Sequence, residues 1–248
     1  MEHLLRATAL AERRHFWFRG FRRFVTPLVA QALAGCTAPR ILDCGCGTGA
    51  NLELLGRFGH ACGFDLSPAG LGLARREGRL RTVRASVAAV PFPSGRFDLV
   101  TSFDVLYALP PAVEQAAVAE MYRLIRPGGY ALVNVAAMPL LRGDHSMLSR
   151  ELRRYSRATL RALLGGAGFR IERLTHTNAT LFAPLLAARL LQRLRGLPPE
   201  ARAQTDIAMP PAPVNAALSA LLACESLWLR RFDAPLGSSL LCLARKPS

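Results

Sequence analysis

One short stretch of the chain combines residue types that can bind a nucleoside. Residues 41–49 read Ile-Leu-Asp-Cys-Gly-Cys-Gly-Thr-Gly, an apolar run that ends in three spaced glycines. Glycine permits positive φ and close approach of the backbone to a ligand, and a helix that starts there offers free N–H groups. Asp65 follows Gly45 by 20 residues, at the end of a second apolar run. Because a carboxylate at that place can bind ribose hydroxyls, the spacing predicts an adenosine-binding turn.

The spacing of the glycines narrows the class of ligand. Gly45, Gly47 and Gly49 form Gly-x-Gly-x-Gly, whereas a dinucleotide site uses Gly-x-Gly-x-x-Gly to bring its helix close to a pyrophosphate. S-adenosylmethionine (SAM) has no phosphate and carries an amino-acid tail beside its sulfonium. Asp43, next to the turn, is compatible with the ammonium of that tail. The pattern therefore favours SAM as the ligand. A nicotinamide cofactor is the alternative.

The turn and three later segments together resemble the ordered motifs of class I SAM-dependent methyltransferases. The four segments are residues 41–49, 63–67, 90–100 and 124–129, and the resemblance covers roughly residues 40–175. Residues 15–20, 153–169 and 235–239 also resemble one bacterial subgroup of that family, whose substrates are small molecules. The resemblance implies a SAM cofactor, with S-adenosylhomocysteine as the product.

Cofactor-binding roles follow from the resemblance position by position. Asp65 is expected to bind the ribose, and the three glycines to shape the pocket for the methionine part. Ser86 stands where the family often has an acid that bonds the adenine amino group, so Ser86 or the backbone of Val87 is expected to replace it. The predicted cofactor-binding residues are Asp43, Gly45, Cys46, Gly47, Gly49, Asp65, Leu66, Ser86, Val87, Phe103, Asp104, Arg19 and Trp17.

The elements that position these residues alternate between strand and helix. This alternation predicts an α/β fold, Rossmann-like, with a mostly parallel seven-stranded sheet, helices on both faces and a helical insertion before the last strand. The third and fifth strands are expected at 80–85 and 130–135, and residues 3–35 as two helices broken near Gly20. The predicted units are an N-terminal helical lid (1–38), a SAM-binding core (39–176), a helical insertion (177–236) and a final strand (237–248).

Residues before the first strand and after the fifth are candidates for closing the pocket and for catalysis. Arg19 is expected to pair with the SAM carboxylate, and Trp17 to cover the pocket; alternatively their helix only packs on the sheet. His145 and Tyr155 are the candidate general bases. The alternatives are a solvated loop for His145 and a helix anchor for Tyr155.

Composition bounds the partners and the compartment. The formal net charge is +15, and 32 of the residues are Lys or Arg, but the arginines are scattered rather than gathered in one run. Nucleic-acid binding is therefore not favoured, and contact with a membrane surface through residues 181–197 stays a minor alternative. No metal site is expected from the spacing of the cysteines. The N-terminus lacks a signal-peptide pattern and no long apolar run is present, so a cytoplasmic protein is predicted.

These observations predict a methyltransferase that acts on a small metabolite, sugar or lipid-like acceptor, most simply at oxygen. Methylation of RNA or protein is the second hypothesis. Residues 102–105 read Ser-Phe-Asp-Val, without the Asn/Asp-Pro-Pro-Tyr of enzymes that methylate exocyclic nitrogens of bases. The third hypothesis is a SAM-binding protein without catalysis. A homodimer formed through the insertion is a further expectation.

Overall fold

The fold is built on one seven-stranded sheet. The computed structural model describes residues 11–138, 151–187 and 209–248, and the strands named here lie within them. The sheet order is β3-β2-β1-β4-β5-β7-β6, with β7 antiparallel to both neighbours and the other pairs parallel. The strands are β1 (Arg40–Cys44), β2 (His60–Asp65), β3 (Thr82–Arg84), β4 (Phe97–Phe103), β5 (Ile125–Ala136), β6 (Arg170–Thr177) and β7 (Ser239–Arg245). The predicted Rossmann-like, mostly parallel sheet is confirmed.

Helices cover both faces of this sheet, because side chains of a buried strand alternate between its two sides. Leu42, Val100 and Val133 belong to a core cluster with α4 and α5, whereas Ile41, Leu99 and Leu132 belong to a second cluster with α1, α2 and α6. The helices are α1 (Phe16–Ala32), α2 (Ala50–Leu55), α3 (Pro68–Arg76), α4 (Pro111–Leu124), α5 (Arg157–Gly166) and α6 (Ala212–Trp228), with a 3-10 turn at Leu106–Ala108.

The N-terminal helix differs from the prediction of a break near Gly20. Helix α1 runs without interruption from Phe16 to Ala32, and Gly20 is buried within it. A Cβ at Gly20 would lie 2.4 Å from Cδ1 of Leu222 on α6. Glycine is therefore present to let two helices approach each other, and the cost of glycine in a helix interior is offset by that packing.

Two strand limits also differ from the expected ones. Strand β3 has three residues, Thr82–Arg84, and is shorter than predicted. Strand β5 begins at Ile125, upstream of the expected start, because Ile125 pairs with Phe97 across the sheet. Gly128 and Gly129 lie within this strand, and the N–H of Gly128 donates to the carbonyl of Lys246 at 3.0 Å.

Helix α6 ties the N-terminal helix to the segment after β6. The side chain of Asn215 accepts a hydrogen bond from the N–H of Phe16 at 2.8 Å and donates to the carbonyl of Arg14 at 2.9 Å. The carboxylate of Glu225 accepts from the N–H groups of Ala179 and Thr180 at 2.8 and 3.0 Å. The described part of the insertion therefore packs with α1 as one layer, and the lid and cap roles stay predictions.

Candidate functional site

The glycine turn and Asp65 meet at the carboxyl ends of β1 and β2. The N–H of Gly47 donates to Oδ2 of Asp65 at 2.8 Å, and the N–H of Ser67 donates to Oδ1 at 2.7 Å. The N–H groups of Gly45 and Cys46 both donate to the carbonyl of Phe64. Residues far apart in sequence thus form one rigid rim, with the Asp65 carboxylate fixed by backbone donors.

The lack of a Cβ has a different structural consequence at Gly45 than at Gly47. Gly45 has φ 74° and Gly47 has φ 54°, both in the left-handed region. A Cβ at Gly45 would lie 2.5 Å from Cγ2 of Val105, so Gly45 lets the turn pack against the residues that follow β4. A Cβ at Gly47 would meet no atom within 4 Å, so the backbone there faces open space. This open space above bare backbone suits a ligand.

Asp43 is buried next to the glycine turn, and only one of its two carboxylate oxygens accepts a hydrogen bond. Its Oδ1 accepts from the hydroxyl of Thr101 at 2.7 Å, while Oδ2 is buried and has no partner among the described residues. Burial raises the pKa of this carboxyl to about 7; the hydrogen bond from Thr101 opposes that rise and the charge of Asp65 adds to it. A buried acceptor without a donor fits the ammonium of an amino-acid tail.

The residues expected at the adenine end lie beside Asp65. Leu66 is 63% exposed, which leaves an apolar surface next to the ribose-binding carboxylate. The N–H of Ala85 donates to the carbonyl of Asp65 at 3.2 Å and so places the end of β3 close by. The hydroxyl of Ser86 accepts from the N–H of Ala88 within its own turn at 3.3 Å. The side chain of Val87 is partly buried and packs against the core.

Two further residues of the predicted set, Cys46 and Phe103, pack against neighbouring parts of the protein. Cys46 is buried, and a Cβ at Gly63 would lie 2.7 Å from its Cβ, so its side chain packs on β2. The ring of Phe103 packs edge-on against Phe21 of α1, with ring centroids 5.0 Å apart. These contacts join Cys46 and Phe103 to protein, and their cofactor roles stay predictions.

Asp104 follows β4 in a conformation that few residues adopt. It is exposed to solvent and has φ 60°, a left-handed value at a non-glycine position. Asn134 of β5 holds it from both sides: Nδ2 donates to Oδ1 of Asp104 at 2.9 Å, and the Asn134 carbonyl accepts from the Asp104 N–H at 3.0 Å. Although the residue is exposed, desolvation by neighbouring protein atoms raises the pKa of the Asp104 carboxyl to about 7; the hydrogen bond from Asn134 opposes the rise and the charge of Glu151 adds to it. Strained, pKa-shifted residues of this kind concentrate at functional sites.

A charged group near Asp104 carries no sequence signal of its own. Glu151 is buried and forms an ion pair with Nε of Arg154 at 2.9 Å. Arg154 also donates to the carbonyl of Ala137 at 3.0 Å, beyond the end of β5. The N–H of Leu152 donates to the carbonyl of Tyr107, which attaches this segment to the loop after β4. Glu151 and Arg154 are only three residues apart, and tertiary contacts with Ala137 and Tyr107 place this pair next to the loop after β4.

Tyr155 is held by partners rather than left open. Its hydroxyl donates to the carboxylate of Glu114 on α4, which also accepts from Arg153. Burial, followed by the hydrogen bond and charge of Glu114, raises the pKa of Tyr155. Because a phenol with a raised pKa keeps its proton, these contacts favour the helix-anchor alternative over a general base. His145 lies outside the described residues.

The segment before α1 reaches the glycine turn. The hydroxyl of Thr48 donates to both carboxylate oxygens of Glu12 at 2.8 and 2.9 Å, and Arg22 donates to the Glu12 carbonyl at 2.7 Å. Trp17 is half-buried on the first turn of α1, where its N–H donates to Nδ1 of His15. Arg19 lines a cleft between α1 and α2 rather than the rim of the turn. The cofactor roles of Trp17 and Arg19 stay predictions.

Within residues 11–138, 151–187 and 209–248, no group of three or more His, Cys, Asp or Glu side chains is arranged to hold a metal ion. All six cysteines are free thiols. Among the helices that the structure describes, none combines the length and apolar character that crossing a membrane requires.

Comparisons with known proteins find methyltransferases among the similar sequences. The family described as "Methyltransferase domain" matches residues 42–133. A malonyl-[acyl-carrier protein] O-methyltransferase of Enterobacter lignolyticus is 34% identical over 184 residues, 71% of this chain and 70% of that protein. A ubiquinone biosynthesis O-methyltransferase of Alkalilimnicola ehrlichii is 34% identical over 111 residues, 42% of this chain and 44% of that protein.

The solved structures extend the agreement to the whole fold. A SAM-dependent methyltransferase from Mesorhizobium loti has a TM-score of 0.55 at 20% identity, over 89% of this chain and 96% of that one. The chain spans about half the length of three curated relatives, namely 52%, 61% and 44%. Sequence and fold together show that this chain belongs to the class I SAM-dependent methyltransferase family.

Proposed function

We propose that the chain transfers a methyl group from SAM to a hydroxyl group of a small-molecule acceptor, with Asp104 as the general base. The observation that carries this proposal is the position of Asp104. It lies at the carboxyl end of β4, where Asn134 holds it in a left-handed conformation, and neighbouring protein atoms desolvate its carboxyl and raise the pKa to about 7 although the residue is exposed. Two relatives named as O-methyltransferases support oxygen as the methylated atom.

Four residues in or next to the glycine turn and the end of β2 are assigned to the cofactor. Asp65 binds the ribose hydroxyls, Leu66 packs on the adenine, and Oδ2 of Asp43 accepts from the ammonium. The bare backbone at Gly47 allows close approach of the methionine part. SAM supplies a methyl group already activated by its sulfonium. The unpartnered Oδ2 of Asp43 and the open space at Gly47 support the fit.

Asp104 takes the proton of the acceptor hydroxyl in this proposal. A base works best when its pKa is near the working pH, because it is then ionised and still basic enough to take a proton. Asn134 acts as a positioning residue, since its amide donates to Oδ1 and leaves Oδ2 of Asp104 for the acceptor. Gly45 lies against Val105, the neighbour of Asp104, and so keeps this base beside the turn.

The proposal gives a definite pH dependence. The base is active when deprotonated, so kcat of the natural chain is expected to rise with pH through about 7. Asp104→Asn keeps an acceptor for the Asn134 amide but cannot take a proton. We expect about a hundredfold loss of kcat or more, with SAM affinity unchanged and the rise through pH 7 abolished. Asp233→Asn, a matched change at a carboxylate that pairs with Arg173, is expected to leave both unchanged.

Incubation with methyl-labelled SAM and fractionated extract of the host tests the acceptor class. Label in the low-mass or lipid fraction is expected, with a product whose methyl group is bonded to oxygen. Label in RNA or protein would contradict the small-molecule acceptor, and a product methylated at nitrogen or carbon would contradict the hydroxyl. SAM binding without label in any fraction would favour the non-catalytic hypothesis. Asp65→Ala, assayed for SAM affinity, is expected to weaken binding.

A further inference from the structure

A cleft of about 560 Å³ lies on the outer side of the molecule, between α1, α2 and the end of α6. Seven arginines and two glutamates line it, together with apolar residues that include Leu227. The cleft adjoins the end of the glycine turn through Ala50 and through Glu12, which accepts from Thr48, but its lining does not include Gly45, Gly47, Gly49, Asp65 or Asp104. The proposed methyl transfer gives no role to this concentration of arginines.

The acidic residues of the cleft are already engaged. Glu53 is bound by Arg79 at 2.7 Å and by Arg13, and Glu12 accepts from Thr48. The guanidinium groups of Arg23, Arg57 and Arg230 form no hydrogen bond or ion pair with any residue that the structure describes.

The environment of Arg22, which also lines the cleft, reflects this crowding of positive charge. Burial lowers the pKa of the Arg22 guanidinium. The carboxylates of Glu12 and Glu53 oppose that effect, and the charges of Arg19 and Arg57 add to it. The arginines thus stand close together with too few carboxylates to balance them, which is the environment of an anion site.

Helix α6, which forms one wall of the cleft, carries its polar residues on the inside. Asn215 forms hydrogen bonds with the start of α1, and Glu225 accepts hydrogen bonds from residues 179–180. Ser219 and Ser226 are buried. The outward residues are apolar, with Val214 46% and Leu221 39% exposed. A surface helix normally has the opposite arrangement, so this face is suited to an apolar environment.

The apolar face and the cleft meet at the end of α6. Leu227, which is 59% exposed, and Arg230 both line the cleft. The next residue, Trp228, is 46% exposed and stacks on Phe232, with ring centroids 5.5 Å apart. Exposed leucine, tryptophan and phenylalanine beside unpaired arginines have the composition of surfaces that lie in a bilayer interface.

We propose that this surface binds an anionic phospholipid bilayer, with lipid phosphate groups in the arginine cleft and Leu227, Trp228 and Phe232 among the outer acyl carbons. Charge complementarity selects this occupant. A second copy of the chain, docked symmetrically through the same patch, would place two arginine-lined clefts against each other. A formal net charge of +15 further attracts the chain to an anionic surface. The inference does not depend on the proposed function.

Sedimentation with vesicles tests the proposal, using phosphatidylcholine alone and phosphatidylcholine mixed with phosphatidylglycerol. We expect binding to the mixed vesicles only, weakened by salt. The variant Arg57→Gln/Arg230→Gln is expected to bind roughly thirtyfold more weakly, since each arginine near an anionic surface contributes about 1 kcal/mol. Trp228→Ser/Phe232→Ser is also expected to bind more weakly, by about tenfold or more.

Matched variants separate this surface from charge in general. Arg75→Gln/Arg76→Gln removes the same charge from the end of α3, and Leu80→Ser removes an apolar side chain that is 74% exposed elsewhere. Both are expected to bind as the natural chain does. Equal loss in Arg75→Gln/Arg76→Gln and in the cleft variant would overturn the proposal, as would absence of binding to the mixed vesicles. Binding of inorganic phosphate without vesicles, or a dimer disrupted by Trp228→Ser/Phe232→Ser in light scattering, would also overturn it.

Discussion

Replacement of Asp43 by asparagine is expected to stabilise the chain without its cofactor and to weaken SAM binding. The Asp43 carboxyl is 1% exposed, and its pKa is raised to about 7 from a reference value of 3.8. Ionisation of this group in the folded chain therefore costs about 4 kcal/mol more than ionisation in the unfolded chain. Asparagine keeps an acceptor for the Thr101 hydroxyl and has no charge to bury.

The sign of the pH dependence follows from the raised pKa. The folded chain keeps the Asp43 proton to higher pH than the unfolded chain, so this group lowers the free energy of unfolding as pH rises from about 4 to about 7. Above that range its effect is constant. Asp43→Asn is expected to match the natural chain near pH 4 and to exceed its free energy of unfolding by about 4 kcal/mol near pH 8.

Urea unfolding of both chains at the two pH values measures this difference, and a repeat with saturating SAM measures the effect of the ligand. SAM at about a hundred times its Kd should stabilise the natural chain by about 2.7 kcal/mol and the variant by much less. A constant difference between the two chains at both pH values would refute the burial argument. Equal SAM affinity would refute the assignment of the Asp43 Oδ2 atom to the ammonium.

Two further substitutions test the packing and the anchor. Gly20→Ala is expected to lower the free energy of unfolding by about 1–3 kcal/mol, because the added Cβ would clash with Leu222. Gly72→Ala, where no atom lies within 4 Å of the added Cβ, is expected to raise the free energy of unfolding by about 0.5–1 kcal/mol. Urea unfolding measures both changes. Tyr155→Phe is expected to lower the melting temperature and leave kcat per folded molecule unchanged, because the lost hydroxyl bonds Glu114. A large loss of kcat at unchanged melting temperature would restore Tyr155 as a general base.

The part of the fold that sequence could predict is the part with local signals. Glycines with a fixed spacing, followed by Asp65, identified the turn between β1 and α2, and the structure joins Gly47 to Asp65 by a hydrogen bond. The break predicted at Gly20 was wrong for a physical reason. Glycine has a low helix propensity, but here the lack of a Cβ allows close contact with Leu222. The pairing of Ile125 with Phe97 likewise has no local signal.

The electrostatic features needed the three-dimensional fold. Asp104 and Asn134 lie on neighbouring strands, so neither indicates the other along the chain. The arginines are scattered in sequence, yet Arg57 of the loop after α2 and Arg230 after α6 line the same cleft. Sequence reasoning therefore underrated the local density of positive charge, because only the packing of α1, α2 and α6 collects it.

The hydrogen bonds between Asn215 and the start of α1 also bear on how the chain folds during synthesis. The two partners are separated by 199 residues, so the first turn of α1 stays without its partner until Asn215 has been synthesised and has left the ribosome. Contacts of such long range form late and slow the folding of a domain. We expect the N-terminal helix to be among the last elements protected on the ribosome, and truncation before residue 215 to leave it accessible to proteases and chaperones.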